Sequence, residues 1–477
     1  MANKQNGVHA KCEGKLVMIG FGSIGQGVLP LILRHIGIDK KDITIISADG
    51  KGKSVAEKEG VELKLSPLNP QNFRKVLDEY LGPGPGGFVL NLSVDVSSVN
   101  LIQYCQERKA LYLDTCIEPW TGGYVDPTLT FSQRSNYGLR ETALALREKY
   151  IGGSTAVVAH GANPGIVSHF LKRALLQIAK DTEYAKEEPT KKAEWASLMK
   201  GLGIKSVHIA EYDSQVAKNP KKIGRFENTW SVYGFHAEGL CQPSELGWGT
   251  HEKEMPKGAS AHDFGCGAGI YLDRPGATTL VRTWTPKHGS FNGRAVTHNE
   301  SISIADFYTI RRGDKVTYRP TVHYAYRPCD AAMLSLEEAF GNNLNLQNEQ
   351  LILSDEIQSG MDELGVLLMG HAKGAYWYGS QLTIEEARKL APYQNATGLQ
   401  VTAGVLAGMV WAIENPTSGI VEADDVDYKR AMEILEPYMG TMVGEYSDWT
   451  PLKGRSSLFP EEADREDVWQ FKNFLVD

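Results

Sequence analysis

The apolar positions of this chain change rhythm about a third of the way along its 477 residues. Up to residue 165, short apolar runs alternate with amphipathic stretches of helical spacing. Leu16-Val-Met-Ile19 reads as a strand, and a helical pattern follows the glycines after it. Residues 43–47, 61–65, 88–92, 110–114 and 155–159 read as further strands, with helices at 54–59, 72–81, 97–109 and 135–149 between them. Repeated strand–helix–strand units predict an α/β fold with a Rossmann-like, doubly wound parallel sheet. Its ligand crevice lies beyond the carboxyl ends of the strands.

The pattern then loosens. Residues 168–180 read as an amphipathic helix. The stretches 207–212, 228–233, 278–284, 301–308 and 315–323 read as short strands among many glycines and aromatics. They predict a second, α+β domain with a largely antiparallel sheet. Helical spacing returns at 399–413 and 425–439, as helices that pack back on the first domain. Three parts result: a nucleotide domain at 1–165, a substrate and dimerisation domain at 166–395, and C-terminal helices at 396–477.

Candidate chemistry begins at Gly20-Phe-Gly22-Ser23-Ile24-Gly25. Gly20 allows a tight turn, Gly22 lets the backbone approach a pyrophosphate, and Gly25 lets the helix pack close to the sheet. The helix start offers free N–H groups and partial positive charge to phosphates. A dinucleotide site is expected there. Asp49 follows the second strand, either as a ribose ligand or as a solvated turn residue. A carboxylate at that place favours NAD over NADP, and Lys51 and Lys53 nearby weaken the preference. Other strand ends carry Asn91, Ser93 and Asp95, Asp114 and Thr115, and His160-Gly-Ala-Asn163-Pro164-Gly165. Asn163 and Pro164 would sit near the nicotinamide end.

Composition narrows the classes. Net charge is −8, which argues against nucleic acid and suits a cationic ligand. No two of Cys12, Cys105, Cys116, Cys241, Cys266 and Cys329 form a C-x-x-C pair, so no zinc or redox signature appears and reduced thiols in a cytoplasm are expected. Residues 1–6 are polar and lack a signal core, and no apolar run reaches membrane-spanning length. His251 and His262 stand too far apart for a zinc helix, and no metal is expected. No hydrolase elbow is present. The loops 247–251 and 265–269 are candidate cleft linings.

The glycine loop, Asn91-Leu-Ser-Val-Asp95, Leu113-Asp-Thr-Cys-Ile-Glu-Pro-Trp120 and His160–Gly165 together resemble bacterial homospermidine synthases. Asn228-Thr-Trp230, Ala237-Glu-Gly239 and Thr297-His-Asn-Glu300 resemble that family too. The likeness runs over nearly the whole length. Saccharopine reductases and carboxynorspermidine dehydrogenases are the wider relatives. The resemblance implies a homodimer that holds NAD tightly and condenses two putrescines, or spermidine and putrescine, to homospermidine. Ammonia or diaminopropane leaves, and imines are the intermediates.

It further implies site roles. Trp230 is matched to the cation–π position; by residue type alone it is equally a core tryptophan. Glu118, Glu238, Asn163 and His298 are the other catalytic candidates, with His298 either a neutral-pH proton shuttle or a loop histidine. Asp95, Glu211, Glu300 and Asp362 are candidate amine ligands, and Glu363 competes with Asp362. Two other readings stay open: a reductive condensation of amino acids, needing a cationic anchor for their carboxylates, and a nucleotide-sensing regulator without turnover.

Overall fold

The computed structural model describes residues 7–184, 187–455 and 462–476; the polar segment 1–6 lies outside them. Leu16–Ile19 runs parallel between Ile43–Ser47 and Phe88–Asn91. Glu62–Leu65 extends the sheet on one side. Leu111–Asp114, Ala156–Val158 and Ile420–Glu422 extend it on the other, all parallel. The central strands are buried on both faces, which is why they read as unbroken apolar runs. The winding reverses at Leu16–Ile19, so the loops after Ile19 and Asn91 diverge and leave a crevice.

The strand Ile420–Glu422 was not legible beforehand. It is only three residues long and reaches the sheet from far along the chain. Helix Ala396–Glu414 does return to the first sheet, packing on Ser23–His35 and Leu111–Asp114. It is long and apolar enough to cross a membrane, but 89% of its apolar window is buried inside the protein. Helix Tyr428–Leu435 is shorter than expected, because tighter turns at Ala423–Asp425 and Glu436–Tyr438 flank it. Beyond it the chain leaves again: Thr441–Ser447 and Leu475–Val476 join the second sheet.

That sheet has eleven strands among the described residues. Its pairings are antiparallel except between Ser206–Asp213 and Thr321–Arg327. Three expected strands are different. The stretch 315–323 breaks at Arg319-Pro320 into Lys315–Tyr318, which pairs with Ile310–Arg312 in a sheet of its own, and Thr321–Arg327, which joins the large sheet. Asn299–Phe307 is a helix, buried everywhere except at Asp306, so no polar face marked its period. The strand read over 228–233 ends at Asn228, and Ser231 caps a new helix at Val232–His236. Trp230 sits in the break. The loops 247–251 and 265–269 do not line the crevice: Gly247 and Gly269 pair with each other in the second sheet.

Candidate active site

A cleft of about 750 Å³ lies over the reversal point, bounded by Gly20–Ile24, Ser47–Asp49 and Leu92–Val94. The second domain covers it with Thr229, Ser231–Tyr233, Gln350–Asp355 and Tyr393–Asn395. Its inner end opens into a chamber of about 140 Å³, and Ile24, Leu92, Ser93, Val94 and Ser231 line both spaces.

The cleft fits a dinucleotide. Gly20 has φ +88°, and a Cβ there would stand 2.7 Å from the Leu92 carbonyl oxygen. A Cβ on Gly22 would meet nothing within 4 Å, so the backbone is open to the cleft. No side chain caps the helix that starts at Ser23, leaving its first N–H groups for an anion. Gly25 faces inward, where a Cβ would lie 2.8 Å from the Gly20 carbonyl oxygen. Asp49 lines the outer end and accepts the Lys51 N–H at 3.0 Å, with Lys51 Nζ 3.5 Å from its other oxygen. Asn91 is buried and holds the Ser93 hydroxyl at 2.6 Å. Thr115, Asn163 and Pro164 line the inner chamber, and the Asn163–Pro164 bond is cis.

That chamber gathers Glu118, Asn163, Glu211, Trp230, Glu238 and His298. Glu211 comes from a strand, Trp230 from a strand break, Glu238 from a helical turn, and Glu118, Asn163 and His298 from loops. No lysine or arginine lines it among the described residues. Glu118 accepts the Asp95 N–H at 3.3 Å and a hydrogen bond from Tyr124. Burial, reinforced by the charge of Glu238, pushes its pKa up to about 8, against the pull of the Asp95 N–H. Glu211 accepts the Asn163 amide at 2.9 Å and the Tyr324 hydroxyl; burial raises its pKa. Trp230 donates its indole N–H to the Tyr326 hydroxyl at 3.1 Å and leans on Phe235. Glu238 sits on a π-helical turn, Ala237–Cys241, a distortion common at functional sites.

His298 lies between two carboxylates. Its Nε2 is 3.1 Å from Glu238 and its Nδ1 3.2 Å from Glu300. Burial pulls its pKa down, but the two negative charges outweigh that and carry it up to about 10. That shift favours the protonated imidazole at neutral pH, paired with both carboxylates.

Three expected amine ligands stand outside the chamber lining. Asp95 is exposed, with φ +63°, and serves Glu118 through its backbone. Glu300 is buried behind His298. Asp362 is buried on a neighbouring strand and accepts the Thr397 hydroxyl. Glu363 points elsewhere, to His288 at 2.8 Å and Gln381 at 2.8 Å. The sequence reading missed Tyr324, whose ring lies 4.4 Å from that of His298, and Tyr124. Tyr324 belongs to the alternating run His323-Tyr-Ala-Tyr326, which signals a strand but not what it faces.

Residues 16–157 match the saccharopine dehydrogenase NADP binding domain, and residues 161–447 match the saccharopine dehydrogenase C-terminal domain. The homospermidine synthase of Blastochloris viridis is 55% identical over 471 residues, 98% of this chain and 98% of that protein. The homospermidine synthase of Mesorhizobium japonicum is 52% identical over 481 residues, covering 100% of this chain and 99% of the other. The crystal structure of the homospermidine synthase from Legionella pneumophila in complex with NAD has a TM-score of 0.91 to this fold at 46% identity, with 98% of each chain covered. Identity at this level over whole chains, with a matching fold, places the protein: it belongs to the homospermidine synthase family, within the wider saccharopine dehydrogenase group.

Proposed function

We propose that this protein is an NAD-dependent homospermidine synthase. One observation carries the reading: an inner chamber walled by Glu118, Glu211, Glu238 and Trp230, without a lysine or arginine among its described lining, opening onto the glycine-loop cleft. A diamine is a dication with an apolar middle. It needs carboxylates for its ends and aromatic surface between them. Amino-acid substrates of a reductive condensation need a free cationic anchor; the described lining offers no lysine or arginine, and its His298 is already paired with Glu238 and Glu300.

Gly20–Ile24 would hold the pyrophosphate, Asp49 the adenosine ribose, and Asn91, Ser93, Thr115, Asn163 and Pro164 the nicotinamide end. NAD, when bound, supplies a hydride acceptor that returns the hydride later, so the reaction has no net oxidation. Asp49 supports NAD over NADP, because a 2′-phosphate beside a carboxylate would be repelled. Coverage of the cleft by both domains supports tight retention.

The protein's own groups manage protons and charge. An ammonium entering the chamber draws Glu118 toward its ionised form, since opposite charge lowers a raised carboxyl pKa. A chamber carboxylate removes the ammonium proton and leaves the lone pair that drives hydride loss. The Trp230 ring stabilises the iminium carbon–nitrogen unit by about 2 kcal/mol in a dry site. His298 keeps Glu238 aimed at the substrate. The same carboxylates return protons as ammonia leaves and the second amine adds.

Purified protein incubated with putrescine and NAD should yield homospermidine and ammonia in equal amounts, with no accumulating reduced nucleotide. Reduced nucleotide without homospermidine would leave an amine dehydrogenase instead. Turnover of any diamine dismisses the regulator reading. The acidic balance and unpaired thiols support a cytoplasmic enzyme, and a homodimer is the assembly to look for by light scattering.

A further inference from the structure

Glu211 and Asp213 stand two residues apart on the strand Ser206–Asp213, so both side chains leave one face of the sheet. Asp362, on the adjacent antiparallel strand Met361–His371, pairs with Asp213 across the ladder. Three buried carboxyl groups meet beneath the inner chamber.

Their hydrogen bonds differ. Asp213 is served as an anion: Thr229 donates at 2.6 Å, the Gln215 N–H at 2.9 Å and the Gln215 amide at 3.1 Å. One oxygen of Glu211 takes both the Asn163 amide and the Tyr324 hydroxyl. One oxygen of Asp362 takes the Thr397 hydroxyl, and its Oδ1 is buried with no donor among the described residues. The Asp362 carboxyl stands instead beside that of Glu211: their strands are paired, and Asp362 lies opposite Asp213, two residues from Glu211 on the same sheet face. Two ionised carboxylates are acceptors only, so two that stand together in a buried place need a proton between them. The remaining titratable groups around the pair are His298, Tyr324 and Tyr326, with Arg327 beyond Asp213. Burial and like charge raise both members, Asp362 the more.

We propose that Glu211 and Asp362 share one proton and work as a single acid–base unit, in which Glu211 meets the substrate nitrogen and Asp362 is the positioning residue behind it. This rests on the diamine reading. In the forward step an ammonium N–H bond breaks, the electron pair stays on nitrogen, and an O–H bond forms on Glu211. The shared proton stays with Asp362, and the pair passes from one negative charge to none. The step reverses when a departing or product nitrogen is protonated. No water need enter the chamber.

The test is infrared spectroscopy of the NAD-loaded protein without substrate, titrated above neutral pH in a Glu118→Gln background that removes the other raised carboxyl of the chamber. A carbonyl band of a buried protonated carboxyl should persist above neutrality. Asp362→Asn and Glu211→Gln, each added alone, should both abolish it, with retained NAD and far-UV circular dichroism confirming folding. No band in the background protein overturns the proposal. A band that survives Glu211→Gln also overturns it, since Asp362 would then hold its proton alone. No turnover is involved, so a failed diamine reaction leaves this readout intact, and a missing band leaves the diamine reading standing.

Discussion

Glu238 and His298 form an ion pair 3.1 Å long at the chamber wall, and Glu300 closes the imidazole from its other side at 3.2 Å. The pair gives the Glu238 side chain a defined direction. Replacing His298 with Gln should raise the KM for putrescine about 10-fold or more, the scale of one lost charge-assisted contact. Steady-state kinetics checks this. The wild-type pH profile should show no inflection from His298 near its ordinary value. Its folded pKa is raised to about 10. The stability it adds is therefore complete below about pH 6.5 and lost as pH rises through about 10. A histidine titration by nuclear magnetic resonance should find it still protonated above neutrality.

Glu118 carries an opposite burden. Its pKa is raised from 4.5 to about 8, chiefly by burial. A raised carboxyl favours folding fully below the unfolded value and loses that advantage as pH climbs through the folded one. Glu118→Gln should thus be more stable than wild type above pH 8, by about 2 °C or more in melting temperature, and not below pH 5. The same variant should lose about 100-fold or more in kcat/KM. Scanning calorimetry at both pH values, beside activity, would refute this if the two proteins melt with an unchanged gap.

Trp230→Ala removes the aromatic wall while Phe235 still fills the space behind it. About 2 kcal/mol of lost cation–π stabilisation predicts roughly 30-fold lower kcat. Trp230→Phe should keep part of the rate. Equal rates in wild type and Trp230→Ala would remove the role.

Gly22 and Gly20 separate cofactor binding from folding. A Cβ on Gly22 meets nothing, so Gly22→Ala should fold normally and retain about 10-fold less NAD after purification. A Cβ on Gly20 strikes the Leu92 carbonyl at a positive φ, so Gly20→Ala should also lower the melting temperature. Nucleotide released on acid precipitation, read beside a thermal melt, distinguishes the two.

Much of the first domain was readable because its signals are local. Leu16–Ile19, Ile43–Ser47 and Phe88–Asn91 are buried on both faces, and the glycine loop must follow the first of them. The helix Asn299–Phe307 was not readable, since a helix buried all round has no polar face to mark its turn. Glu118, Glu211 and Glu238 were nameable through the family likeness. Asp95, Glu300 and Asp362 were nameable in the same way, and nothing in their spacing said that they stand outside the lining.

The sequence by itself determined the alternation of strands and helices, the place of the dinucleotide loop and the family. These follow from spacing over a few residues and from short motifs. Only the tertiary structure decided which carboxylates face the chamber, that His298 lies between Glu238 and Glu300, and that Asp362 stands beside Glu211. A side chain's charge state depends on burial and on the groups within a few ångströms of it. Those groups come from strands and loops far apart in the chain, brought together only when the two sheets close over the cleft.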